Sequence, residues 1–143
     1  MKKQRHIGVY GLVIKDNKIL LITKAKGAYK GLLDLPGGGI EHGETPEVTI
    51  SREILEETGL ESKEYSLFDV NSVLVKWNYD TNNHIDLHHI GIFYKVKTKE
   101  GNLKTTPDGL DSLGASWHEI DKLDKKELSP FTVMMLEKLG YMK

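Results

Sequence analysis

Gly38-Gly39-Ile40-Glu41-His42-Gly43-Glu44-Thr45-Pro46-Glu47-Val48-Thr49-Ile50-Ser51-Arg52-Glu53-Ile54-Leu55-Glu56-Glu57-Thr58-Gly59-Leu60 is the stretch on which the reading of this chain turns. Thr45 before Pro46 supplies an N-cap and a proline at the first helical position, and Gly59 is placed to end the helix in a left-handed conformation. At 100° per residue, Glu53, Glu56 and Glu57 fall inside an arc of about 100°. Val48, Ile50, Ser51, Ile54 and Leu55 take most of the other side. One face therefore suits packing on a sheet, and the other is crowded with carboxylates. Like charges at these spacings cost a few tenths of a kcal/mol per pair, and on the helix only Arg52 offsets them. A divalent cation would also do so, because hard oxygen ligands on one rigid face suit magnesium or manganese. An ordinary solvated acidic face is the competing reading.

Outward from this helix the chain reads as one α/β unit spanning residues 1–143. Residues 7–14 and 19–23 are apolar runs around the turn-forming Lys15-Asp16-Asn17-Lys18, which predicts a hairpin. A loop at residues 24–33 carries Lys24, Lys26 and Lys30 and leads into Pro36-Gly37-Gly38-Gly39. Residues 65–77 and 84–96 read as two long strands about a turn, and residues 115–120 as a short one. Ser129-Pro130 opens a last helix whose Val133, Met134, Leu136 and Leu139 would pack inward. Strands on both sides of a central helix suggest a mixed sheet covered by helices.

Composition narrows the function classes. With 143 residues, 38% of them hydrophobic and 29% charged, the chain has the profile of an ordinary globular protein. Its net charge of −1 supplies no global field for nucleic acid or an acidic membrane. The absence of cysteine excludes disulfide and thiolate chemistry. The basic start, Met1-Lys2-Lys3-Gln4-Arg5, precedes an apolar run broken by Gly8, Gly11 and Lys15, so it reads as a first strand rather than a signal peptide. A cytoplasmic location is the default expectation.

Residues 38–60 match the pattern GX5EX7REUXEEXGU, with U aliphatic, at every fixed position. Seven fixed and two aliphatic positions coincide by chance on the order of once in 10⁹ sites. The chain on this basis resembles the Nudix hydrolases, and the Leu-Pro-Gly-Gly before the box and Trp117 in a late strand are similar too. The resemblance implies an α/β/α sandwich with a mixed β-sheet. It also implies a Mg²⁺-dependent hydrolase, with Mn²⁺ as substitute, that cleaves the pyrophosphate bond of a nucleoside diphosphate derivative or nucleoside triphosphate. Glu56, Glu57 and the backbone carbonyl of Gly37 would hold metal. Glu53 would ligate through water or activate the nucleophile, with Arg52 orienting it, so Glu53, Arg52 and Glu57 are the expected catalytic residues. Glu44 would tie the loop to Arg52. A further acid from a late loop is expected, and Asp111, six residues before Trp117, is favoured over Asp108.

The expected substrate contacts are Lys24, Lys26, Gly38, Gly39 and Thr132. Thr132 stands where the enzymes that sanitise 8-oxo-dGTP carry a purine-reading asparagine. Trp77, Tyr79 and Phe131 are candidates to stack on a base, and a strand face of His84, Asp86 and His88 would border the cleft. The proline that follows the box in ADP-ribose hydrolases is missing, as are the coenzyme A and NADH signatures. The substrate is therefore expected to be a small nucleotide of open identity, handled by a monomer or homodimer. Two other functions fit the same resemblance. Hydrolysis at an RNA 5′ end would need a basic channel, with candidates only at residues 24–30 and 95–104. A non-catalytic nucleotide sensor would normally have lost box residues, and here none is lost.

Overall fold

The computed structural model describes residues 1–143. Strands β1 (Lys2–Leu12), β2 (Ile14–Lys15), β3 (Lys18–Lys24), β4 (Leu33–Asp34) and β5 (Gly37–Gly39) precede helix α1 (Pro46–Thr58). Strands β6 (Ser62–Asn78), β7 (His84–Thr98) and β8 (Ser112–Glu119) then lead through two 3₁₀ turns to helix α2 (Pro130–Lys138). The strands form two sheets. One, in the order β5-β1-β7-β6, is mixed: β1 and β7 run parallel from Lys2 opposite Ile85 to Leu12 opposite Lys95, and the other pairs are antiparallel. In the second, β3 pairs antiparallel with β2, β4 and β8.

The expected hairpin is therefore real but shorter than the sequence suggested. Asp16 and Asn17 both adopt positive φ (52° and 62°), the requirement of a tight two-residue turn. It joins Ile14–Lys15 to β3, while β1 departs into the other sheet. An unbroken apolar run carries no mark of the point where a strand changes sheets.

Period-two alternation explains the sandwich. Tyr10 and Leu12, Ile19 and Leu21, and Phe93 point to one side and pack with Phe131, Met135 and Leu136 of α2. Val9 and Val13, Leu20 and Ile22, and Tyr94 and Val96 point to the other and pack with Ile50 and Ile54 of α1. Each wholly buried isoleucine contributes about 1.5–3 kcal/mol by leaving water. Both helices begin as expected. The Thr45 hydroxyl accepts from the Val48 amide at 3.3 Å and that of Ser129 from the Thr132 amide at 3.4 Å. Gly59, at φ 80°, closes α1 by donating its amide to Leu55 O. No helix is long and apolar enough to cross a membrane.

Candidate active site

The glutamate face of α1 is pressed against β5, and its three acids meet three different environments. Glu57 is 2% exposed; its Oε1 accepts the Gly37 amide at 2.7 Å, while its Oε2 is buried without a partner. Burial pushes this carboxyl well above the usual range, opposed by the Gly37 hydrogen bond. Glu53 lies against the Gly38 backbone, so close that a Cβ on Gly38 would sit 2.7 Å from its Oε1. Burial raises its pKa as well, and Arg52 counters the rise. Glu56 remains half exposed.

Arg52 is the organising cation. Its Nε and Nη2 donate to the two oxygens of Glu44 at 2.7 and 2.8 Å, and its Nη1 donates to Glu53 at 3.0 Å and Glu56 at 3.3 Å. The Glu44 carboxylate also accepts from the Glu41 amide and the Thr49 hydroxyl. The guanidinium beside it holds its pKa down at about 2. A fork of this kind needs arginine, because an ammonium cannot serve two carboxylates in fixed planar geometry.

The sequence suggested a face of three mutually repelling charges. Instead, one arginine offsets two of the acids, and the third is taken out of solvent, which raises its pKa. No group of three or more acidic or histidine side chains is assembled to hold a metal ion as the chain stands. The donor set nevertheless fits a hard divalent cation. A buried carboxylate oxygen without a partner is costly to leave alone. On Glu57 it sits one helical turn from Glu53 and beside a glycine backbone.

Beyond β5 opens a cleft of about 720 Å³ whose lining includes Lys24, Lys26, Tyr29, Asp34, Trp77, Tyr79, His89 and Asp111. The structure thus brings Lys24 and Lys26 to a ligand-sized space. It also separates the two loop acids. Asp108 is a turn residue, its Oδ1 accepting the amides of Leu110 and Ser112. Asp111 lines the cleft, with its carboxylate 3.8 Å from Lys24 Nζ, and its charge is felt at Glu53.

Two expected contacts are corrected. Thr132 is fully buried, its hydroxyl engaged with Ser129 Oγ at 2.8 Å, and offers nothing to a ligand. Phe131 is a core residue, 5.0 Å centroid to centroid from Phe93. On β7 the cleft is lined by Leu87 and His89, so the face of His84, Asp86 and His88 is the opposite one. His89 went unnoticed in the sequence: its ring hydrogen-bonds Tyr10 and Tyr29 at 2.6 and 2.9 Å, and burial lowers its pKa to about 3. Alternation along β7 set two possible faces, and nothing local said which met the cleft. Asp34, 4% exposed on the cleft wall, was also missed.

The family model described as NUDIX domain matches residues 2–139. The chain is 39% identical over 119 residues to an ADP-ribose pyrophosphatase of Methanocaldococcus jannaschii, covering 83% of this chain and 64% of that one. It is 30% identical over 132 residues to an 8-oxo-dGTP diphosphatase of Escherichia coli, covering 90% of this chain and 92% of the relative. Among solved structures, a MutT NUDIX hydrolase from Burkholderia pseudomallei superposes with a TM-score of 0.73 at 26% identity, covering 95% and 98% of the two chains.

Proposed function

The chain belongs to the Nudix hydrolase family, and on that premise we propose that it is a magnesium-dependent pyrophosphohydrolase of small nucleotides. It would cleave a nucleoside diphosphate derivative or a nucleoside triphosphate. Water adds to one phosphorus, the bridging P–O bond breaks, and the displaced phosphate leaves with the bridging oxygen. The observation that carries this reading is the buried, unpartnered Oε2 of Glu57 beside the glycine backbone of β5.

Glu53, Glu56, Glu57, the Gly37 carbonyl and Asp111 are the groups that would hold the cation. When bound, magnesium neutralises phosphate charge and acidifies a coordinated water. Glu53 is suited to take the proton of the attacking water, since burial moves its pKa toward neutrality and Arg52 fixes its orientation. Lys24 and Lys26 meet the phosphates from the cleft wall, and the bare backbone of Gly38 and Gly39 allows their close approach.

The relatives' names divide between ADP-ribose and 8-oxo-dGTP, so both belong in the test. We expect Mg²⁺- or Mn²⁺-dependent release of a nucleoside monophosphate in a screen of ADP-ribose, nucleotide sugars and nucleoside triphosphates including 8-oxo-dGTP. Triphosphorylated RNA serves as the competing substrate. Turnover undiminished by EDTA, or confined to RNA, would overturn the proposal.

A further inference from the structure

The mixed sheet outruns the helix that covers it. α1 packs on Val9, Tyr94 and Val96, but β1, β7 and β6 run on together to Lys2, His84 and Asn78. On this projecting part Trp77, Leu87 and His89 point to one face and line the cleft. The opposite face, that of Asp86 and His88, is apolar nearer the body and uncovered. Leu67, Val70 and Leu74 of β6, paired to Tyr94, Ile92 and His88, are 61%, 56% and 73% exposed. Ile7 of β1 is 45% exposed, and Ile90 beside it is half-buried. Single apolar side chains on a surface are ordinary, but a contiguous apolar stretch of sheet marks an interface.

Two observations choose the occupant. The protein exposes 8193 Å², about 700 Å² above the roughly 7,500 Å² of a compact monomer of this size, and one partner in a standard interface buries about 800 Å². The face is also complementary to itself about Ser72, a small residue paired to Ile90. Along β6, Val70 and Leu67 follow it toward the body, and Leu74 and Lys76 toward the tip. A two-fold axis lying in the face and crossing the strands at Ser72 lays Leu74 of one copy on Val70 of the other, twice. It also carries the basic row of Lys3, Asp86 and Lys76 to the row of Tyr94. There Glu47 of α1 accepts the tyrosine hydroxyl at 3.0 Å, so unlike charges meet at both ends of an apolar middle.

We propose that this face joins two copies of the chain, sheet against sheet, in a two-fold dimer. Both clefts stay open, because they lie on the other face of the same strands. The test reads mass and proximity rather than turnover, so it stands apart from the proposed hydrolysis.

Sedimentation velocity on the full chain should find twice the monomer mass for wild type at micromolar concentration. Ser72 is exposed, and Ser72→Lys sets two like charges against each other at the axis. Association should weaken by about tenfold or more, with the far-ultraviolet circular dichroism spectrum unchanged. The chain has no cysteine, so Ser72→Cys supplies a single thiol. A bis-maleimide of about 10 Å span, the spacing of two packed sheets, should join two such chains. It should not join Ser116→Cys, at an exposed position of β8 in the other sheet. A wild type that stays monomeric across the micromolar range would overturn the proposal. So would a Ser72→Lys variant that dimerises as wild type does, or equal cross-linking at the two cysteine positions. The cross-link decides even if Ser72→Lys fails to fold.

Discussion

His89 shows how one buried side chain sets a pH dependence. Its ring is neutral in the folded protein because burial, with His6 and Lys24 nearby, lowers its pKa to about 3 from an ordinary 6.5. Unfolding frees it to bind a proton below pH 6.5. The unfolded state therefore holds more protons between about 6.5 and 3, and stability rises with pH across that window. The contribution is complete above 6.5 and is lost as acid is added. Replacing His89 with Gln keeps hydrogen-bonding capacity for Tyr10 and Tyr29 but removes the titration. The stability advantage of wild type over His89→Gln should shrink by about 2–3 kcal/mol between pH 7 and pH 4.5. Urea unfolding at the two pH values measures this; an advantage that stays constant would mean the ring titrates normally. Arg52 is the opposite kind of residue, charged at every accessible pH, and its fork rather than its protonation state orders Glu44 and Glu53.

Elements position these residues, and the loops around β5 and before β8 do so most finely. Gly37 has φ 150°, and a Cβ there would lie 2.1 Å from Val9 O, so backbone would have to move. At Gly38 the nearest atoms are the end of the Glu53 side chain. Gly37→Ala should therefore unfold the protein at lower temperature by several kcal/mol. Gly38→Ala should leave the melting temperature within a few degrees while displacing Glu53 and cutting kcat about tenfold or more. Equal effects on melting would show that β5 is a plain tight turn. The late loop makes a matching pair: Asp108→Ala loses the turn bonds to Leu110 and Ser112 and should cost about 1 kcal/mol of stability with kcat preserved. Asp111→Ala should preserve stability and lower kcat. The reverse pattern would make Asp108 the ligand. Much at this scale was legible in the sequence. Caps, the left-handed Gly59 and the apolar runs of the first strands are local patterns with local causes. What stayed hidden was pairing at long range: the contact of Tyr29 with His89, sixty positions away, and of Asp34 with Ser129, ninety-five away. Neither has a spacing signature, because the sheets and α2 create the proximity.

At the scale of the whole molecule, the proposed role of Glu57 would couple chemistry to folding. Its carboxyl closes the junction between α1 and β5, the edge of the mixed sheet, through Gly37. The sequence marked Glu57 as one of three exposed like charges, so relief of repulsion was the expected effect of neutralising it. The structure replaces that cause with burial: the apoprotein bears the cost of an unpartnered oxygen sealed from water. A cation that binds only the folded state stabilises by RT ln(1 + [L]/Kd), about 2.7 kcal/mol at a hundredfold excess over Kd. For a chain of this length that is a rise of roughly 6–12 °C in Tm. Glu57→Gln keeps an oxygen for the Gly37 amide and removes the buried charge. In EDTA its Tm should equal or exceed that of wild type by a few degrees, which corresponds to about 1 kcal/mol. Saturating Mg²⁺ should shift wild type and barely move the variant, whose kcat should fall by about 10²–10³ through loss of roughly 3–4 kcal/mol of transition-state stabilisation. Differential scanning calorimetry with and without Mg²⁺, read beside kcat on the best substrate of the screen, separates the possibilities. A variant that melts far below wild type in EDTA yet keeps both the Mg²⁺ shift and normal turnover would make Glu57 a packing residue and move the cation elsewhere.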